Sequence, residues 1–214
     1  MRRSAYLLSI LAALAALSVG MVALGASVGR VMLPDALVAL DERLPVVFRA
    51  HMLLSGLGLI LLPLALATRR WAIRWHRSIG RMCAMSLVLG SLAALPSAVM
   101  SVAAPLARTG FLVQGLATLW LLAAAVLAIR RGDARRHGAL MRAMTTVVAG
   151  VIVLRLVLAA CASLGWWSDD LYAILAWGSW IIPLAIVEGW TRLPSKLARP
   201  SAVLDGERQL RRLP

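Results

Sequence analysis

The sequence is poor in the side chains that usually build catalytic or metal sites. Among its 214 residues are only 9 acidic side chains, 3 histidines and 2 cysteines. It has no phosphate-binding glycine loop, nucleophile elbow or zinc motif, and no apolar segment contains a pair of carboxylates. These absences exclude the commonest nucleotide-binding, hydrolase and zinc-enzyme classes, and they leave few residues on which a function could depend.

The two cysteines are placed too far apart to work together. Cys83 begins the third apolar segment and Cys161 lies near the end of the fifth. In an antiparallel bundle these positions are nearly a membrane thickness apart, whereas a disulfide needs Cα atoms within about 7 Å. We therefore expect neither a structural disulfide nor a thiolate metal site within one chain.

What the sequence has in abundance is apolar residues, which make up 61% of the chain. A soluble domain of this length could not bury so many. Six segments are long enough to cross a hydrocarbon core of about 30 Å as helices, and we place them at 5–27, 46–67, 82–104, 109–129, 139–164 and 171–190. Short connections make successive segments antiparallel neighbours. The sequence thus predicts an all-α integral membrane bundle of six transmembrane helices over residues 1–192, followed by a basic cytoplasmic tail at 193–214.

The first apolar segment also resembles a signal peptide, because Met1, Arg2 and Arg3 precede it. Its apolar run is longer than the roughly 7–15 residues usual in such peptides, so we expect a retained helix. Within it, Ala12, Ala16 and Gly20 recur every four residues. This small-residue spacing favours close approach of a neighbouring helix.

The arginines lie mostly on one side of the predicted membrane. A net charge of +14 in a soluble protein would suggest nucleic acid, but these charges lie between apolar runs, as in a multi-pass protein. We predict no nucleic-acid partner, both termini in the cytoplasm, a bacterial inner membrane location and contact with membrane lipids. The predicted inner side carries 18 basic residues against 4 outside: Arg2, Arg3, Arg69, Arg70, Arg74, Arg77, Arg81, Arg130, Arg131, Arg135, Arg136, Arg142, Arg192, Lys196, Arg199, Arg208, Arg211 and Arg212.

Two polar residues lie within the membrane near the outer side. Arg155, in VIVLRLVLA, is well inside the fifth apolar segment, and His51 lies at a similar depth in the second. A charged residue at such depth is costly and is a functional hypothesis by default. Arg155 would suit a carboxylate, a propionate or a quinone oxygen, and a neutral His51 could bind metal or relay protons. The alternative is that both are structural residues bonded within the bundle.

A second pair of histidines lies at the inner side. His76, in RWHRSIGR, and His137, in HGALMR, each precede an apolar segment, and Gly80 with Arg81 and Met141 with Arg142 follow at matching distances. The similarity suggests either an internal repeat of helix pairs or two alike basic loops. Two histidines on facing helices could be the axial metal ligands of a b-type haem, with Arg77, Arg81 and Arg142 pairing its propionates.

These motifs, in this order, resemble the bacterial predicted membrane proteins grouped as domain of unknown function 2306. The resemblance covers residues 45–160 and rests on HMLLSGLGLILLPLAL, RWHRSIGRM, GFLVQGLATLWLLAAAVLAIRRGDARRHGALMRAM and VIVLRL. The family pattern corresponds here to His51, His76, Arg77, Gly80, Arg81, Gly110, Phe111, His137, Met141, Arg142 and Arg155. The chain departs from it at Met82 and Leu140, where the family has aromatic residues. The resemblance implies a multi-pass membrane protein and supplies no activity.

Two classes of function agree with this sequence. In the first, the protein is similar to b-type cytochromes, and His51, His76, His137, Arg77, Arg81, Arg142 and Arg155 bind haem b or a quinone for electron transfer. In the second, it is a non-catalytic accessory subunit of a larger membrane complex, or a small transporter. The small number of histidines and the lack of paired acids favour the accessory subunit or transporter. The histidine–arginine pattern favours the electron-transfer protein.

Overall fold

The computed structural model describes residues 2–69 and 71–192, so the predicted basic tail lies outside the described residues. The seven helices of this part are α1 (Arg2–Ser27), α2 (Asp35–Arg43), α3 (Pro45–Thr68), α4 (Ile73–Met100), α5 (Pro105–Arg130), α6 (Ala134–Ser163) and α7 (Asp169–Arg192). All except α2 are long and apolar enough to cross a membrane. The described residues contain no strand. The all-α bundle with six membrane-crossing helices is thus confirmed.

Each of the six long helices begins earlier than the sequence predicted, and the difference is largest for α4 and α6. The third and fifth apolar segments were expected to begin at residues 82 and 139, whereas α4 begins at Ile73 and α6 at Ala134. Hydropathy locates the apolar part of a helix, but arginine also has a good helix propensity. In α6 the Asp133 carboxylate caps the helix by accepting from the Arg136 N–H at 2.8 Å. His76 and His137 therefore lie in the first turns of helices, not in loops before them.

The short helix α2 lies between α1 and α3 and was not predicted. It buries Leu40 and packs against α3 and α4. Arg49 of α3 donates to both carboxylate oxygens of Asp41, at 3.0 and 2.8 Å, and Arg43 donates to the carbonyl of Met100 at 3.2 Å. This contact with Arg49 holds the pKa of the Asp41 carboxyl below its usual value. These bonds fix α2 against the ends of its neighbours.

Five of the long helices form a closed ring. In it α3 packs against α1 and α4, α5 against α4 and α6, and α6 against α1, while α7 lies outside against α5 and α6. The core contains Leu59, Leu87, Leu122, Met144 and Val147. The helices α1, α4 and α6 all end on the same side of the bundle, which we call the distal end. They begin on the opposite side, which we call the proximal end.

Glycine permits the closest crossing in the ring. A Cβ atom added to Gly20 of α1 would lie 2.9 Å from the carbonyl oxygen of Gly56 in α3, and one added to Gly56 would lie 2.8 Å from that of Gly20. Neither position has room for a side chain. The small-residue spacing of the first segment therefore does allow the close approach that the sequence predicted, at Gly20.

Two helix hairpins, α3–α4 and α5–α6, share a set of features. Proline begins the first helix of each, at Pro45 and Pro105. At the proximal end, Nδ1 of His76 donates to the carbonyl of Ala65 at 2.8 Å, and Nδ1 of His137 donates to the carbonyl of Ala125 at 2.9 Å. Each histidine thus joins the start of its helix to the preceding helix. The similarity between the two histidine segments corresponds to this repeated hairpin.

Candidate functional site

A cavity of about 470 Å³ lies in the distal half of the bundle, and all seven helices contribute to its wall. Its lining is largely apolar, with polar side chains from α1, α3, α4, α5, α6 and α7. Its lining includes Ser18, Leu37, Leu40, Phe48, His51, Ser55, Ser91, Ser97, Phe111, Gln114, Thr118, Leu154, Arg155 and Tyr172. The volume falls within the range of about 300–1,000 Å³ typical of small-molecule sites.

His51 lies in the second turn of α3 and is held by α4. Its Nδ1 is 2.9 Å from the carbonyl oxygen of Gly90 and 3.2 Å from the hydroxyl of Ser55. A carbonyl oxygen can only accept, so Nδ1 carries the proton in this bond. In the neutral imidazole the lone pair is then on Nε2, which remains for a ligand in the cavity. His51 is half-buried.

Arg155 supplies the only charge among the cavity residues. It lies about two turns before the end of α6 and is exposed to the cavity. Arg49 forms its salt bridge with Asp41, outside the cavity wall. No carboxylate belongs to the wall to neutralise Arg155. The sequence predicted that His51 and Arg155 lie at a similar depth near the outer side, and both line this cavity. An unpaired guanidinium within the membrane is costly unless a ligand or water solvates it.

Sequence reasoning missed most polar residues of the cavity wall, among them Gln114 and Thr118. The side-chain amide of Gln114 donates to the carbonyl of Val147 in α6 at 2.9 Å, and the hydroxyl of Thr118 donates to the carbonyl of Gln114 at 2.9 Å. Gln114 is the one amide side chain within the six apolar segments, which is the signal that could have drawn attention to it. Thr118 carries no such signal, because threonine is common in membrane helices.

Aromatic rings complete the distal rim. Phe111 and Tyr172 both line the cavity, and their ring centroids are 5.6 Å apart. Trp167 packs on Tyr172 with centroids 5.7 Å apart. Tilted pairs at such distances are favourable, and amphipathic rings prefer the membrane interface. These contacts give the cavity an aromatic edge at the end where α7 begins.

The proximal residues of the predicted site do not line this cavity. Arg77, Arg81 and Arg142 are exposed, and the Nδ1 atoms of His76 and His137 are bonded to backbone carbonyls. These two histidines belong to α4 and α6, which are not among the helix pairs that pack side by side in the described part of the chain. The described part of the chain contains no group of three or more histidine, cysteine or acidic side chains that could hold a metal ion.

A bundle of six membrane-crossing helices around a mostly apolar cavity defines a multi-pass membrane protein. The chain belongs to the family described as predicted membrane protein (DUF2306), whose model matches residues 48–191. The match includes His51, His76, His137 and Arg155, and it extends through nearly all of α7. No curated protein and no solved structure was found to match the chain.

Proposed function

We propose that the protein binds a quinone in the distal cavity and takes part in electron transfer within the membrane. The observation that supports this most is the pairing of Arg155, which has no carboxylate partner among the described residues, with His51 in one apolar cavity. A quinone headgroup has oxygens that accept from a guanidinium and gains or loses protons when it is reduced or oxidised. Arg155 would hold an oxygen of the headgroup, and His51 would exchange a proton with it.

The shape and polarity of the cavity support a ligand with an apolar tail. Leu37, Leu40 and Leu154 line the same space as the polar groups, so an isoprenoid tail would bury apolar surface there, at about 25 cal/mol per Å². Phe111 and Tyr172 offer aromatic surfaces against which a planar headgroup can stack. A carboxylate in the wall would repel an electron-rich or anionic headgroup, and the cavity wall contains no carboxylate.

Replacing Arg155 tests this function. In the purified protein in detergent, we expect Arg155→Gln to weaken binding of a short-chain benzoquinone by tenfold or more, because hydrogen bonds to charged groups contribute about 1.5–3 kcal/mol. The control is Arg135→Gln, which removes an exposed arginine from the proximal end of the same helix. Equal affinity in the two variants, measured by equilibrium dialysis, would contradict a role for Arg155. Absence of binding of both the quinone and its quinol in the unmodified protein would overturn the proposal itself.

A b-type haem at the proximal end is a second candidate. It is favoured by the bonds from Nδ1 of His76 and His137 to backbone carbonyls, because metal-binding histidines commonly fix their ring in this way and leave Nε2 for the metal. Arg77, Arg81 and Arg142 would pair with the propionates. The purified protein should then absorb in the Soret region, and His76→Ala and His137→Ala should each abolish that band. A colourless protein would remove this candidate and favour an accessory subunit or a transporter.

A further inference from the structure

Several polar side chains of the distal cavity donate hydrogens to the helix backbone. Thr118 donates its hydroxyl proton to the carbonyl of Gln114, Ser97 to that of Ala93, and Ser18 to that of Leu14, each at 2.9 Å. A hydroxyl that donates in this way keeps its lone pairs. These three oxygens can therefore only accept from a ligand.

The two larger polar groups also present acceptors. Nδ1 of His51 donates to the carbonyl of Gly90 at 2.9 Å, which leaves the lone pair of Nε2 in the neutral ring. The amide nitrogen of Gln114 donates one of its two hydrogens to the carbonyl of Val147 at 2.9 Å. Since that partner can only accept, the amide is oriented with its nitrogen toward α6. The oxygen Oε1 is free to accept, and the second N–H can still donate.

The cavity wall has fewer hydrogen-bond donors than acceptors left for a ligand. Arg155 is the only group of the wall that can donate without being able to accept, and its charge opposes any cationic ligand. Hydroxyls whose hydrogens are not committed, such as that of Tyr172, can donate or accept and so do not discriminate between ligands. The cavity is thus rich in acceptors, with one charged donor at Arg155, one remaining amide N–H of Gln114, and the uncommitted hydroxyls.

We infer that the distal cavity selects ligands that carry hydroxyl groups on an apolar body and that, among quinones, it takes the reduced quinol form. This inference rests on the proposed quinone function. A quinone has only acceptor oxygens, so it would leave the acceptors of His51, Gln114 and Thr118 facing its own acceptors. A quinol donates two hydroxyl protons to such acceptors and still offers an oxygen to Arg155.

The test compares a short-chain benzoquinol, kept reduced under anaerobic conditions, with the matching quinone. We expect the unmodified protein in detergent to bind the quinol at least fivefold more tightly, as measured by equilibrium dialysis. Thr118→Val keeps the shape of the side chain and removes its acceptor. It should weaken quinol binding about threefold to tenfold, the usual effect of one hydrogen bond, and change quinone binding less than twofold.

The matched control is Thr146→Val. Thr146 donates to the carbonyl of Arg142 at 3.0 Å, as Thr118 does to Gln114, but it is not part of the cavity wall. Both variants lose the same kind of helix bond, so thermal unfolding should shift alike in the two. The affinity for quinol should fall only in Thr118→Val. An equal fall in both variants, or an equal loss of quinone and quinol affinity in Thr118→Val, would overturn the inference.

A pair of redox-inactive probes separates this inference from the proposed function. An alkylresorcinol carries two hydroxyl donors, and its dimethyl ether carries none. If the quinone binds as tightly as the quinol, hydroxyl selection is wrong and quinone binding stands. If neither redox form binds but the resorcinol binds and its ether does not, hydroxyl selection stands and the quinone function is wrong. If no probe binds, both are overturned.

Discussion

At the scale of single residues, hydrogen-bond partners decide what a polar side chain can do in this bundle. His51, His76 and His137 each bond through Nδ1 to a backbone carbonyl of another helix. These bonds give the Nδ1–H of each histidine a partner within the bundle, which is sufficient reason for a histidine there. They also fix the ring and leave Nε2 for other chemistry. The structural and the functional roles of these residues are therefore compatible.

Two glycines in α4 have contrasting surroundings, and we expect substitutions at them to have opposite effects on stability. An added Cβ at Gly90 would lie 2.7 Å from the hydroxyl of Ser55 and 3.0 Å from its backbone nitrogen, whereas Gly80 has no atom within 4 Å. We expect Gly90→Ala to destabilise the protein by about 1–3 kcal/mol through overpacking. Gly80→Ala should be neutral or stabilising by up to about 1 kcal/mol, because alanine favours the helix.

Thermal unfolding of the two variants in the same detergent checks this contrast. The shift caused by Gly90→Ala should be accompanied by weaker ligand binding, because the backbone carbonyl of Gly90 holds His51. A destabilised Gly80→Ala variant would show that Gly80, part of the family pattern in HRSIGR, meets a contact outside the described residues or a ligand. Unchanged stability in Gly90→Ala would contradict the tight α3–α4 crossing.

At the scale of helices, hydropathy predicts the long elements well and the short one not at all. The six membrane-crossing helices follow from apolar runs alone, because backbone groups in lipid must bond within a helix. The nine-residue α2 is too short for that signal. Its position depends on the contact of Asp41 with Arg49 in the next helix and of Arg43 with the distant Met100. Likewise His51 and Arg155 stand out from apolar surroundings, whereas Gln114 and Thr118 join the site only because the helices pack around a common space.

The ion pair between α2 and α3 predicts how α2 responds to pH. Arg49 lowers the pKa of Asp41. The ion pair therefore stabilises the docking of α2 at pH values above the ordinary carboxyl pKa of about 4, and this stabilisation is lost as the pH falls below that value. Docking of α2 should therefore be unchanged between about pH 7 and 5 and weaken only at lower pH. Asp41→Asn should loosen α2 already at neutral pH.

Hydrogen exchange of the α2 amides measures this docking. The control is Glu42→Gln, which removes a neighbouring exposed carboxylate that forms no salt bridge among the described residues. Exchange should accelerate in Asp41→Asn and stay unchanged in Glu42→Gln. Because Leu37 and Leu40 line the cavity, looser docking of α2 should also speed exchange of the bound ligand. Equal exchange in both variants would mean that Leu40 and Arg43 hold α2 without the ion pair.

At the scale of the whole molecule, the basic residues predict which way the bundle crosses the membrane. In the sequence, 18 basic residues belong to the predicted inner side and 4 to the predicted outer side. Positively charged loops remain in the cytoplasm during insertion. We therefore expect both termini in the cytoplasm of a bacterium, the protein in its inner membrane, and the distal cavity in the outer leaflet.

Reporter fusions test this orientation. An enzyme that is active only in the periplasm should be silent when fused after Pro214 and active when fused after Gly165, in the distal connection between α6 and α7. A fluorescent protein that folds only in the cytoplasm should give the opposite result at the two positions. The reverse pattern would invert the bundle and place the cavity in the inner leaflet. Ligand exchange, and any proton that His51 releases, would then take place at the cytoplasmic side, so the orientation decides which side of the membrane the proposed site serves.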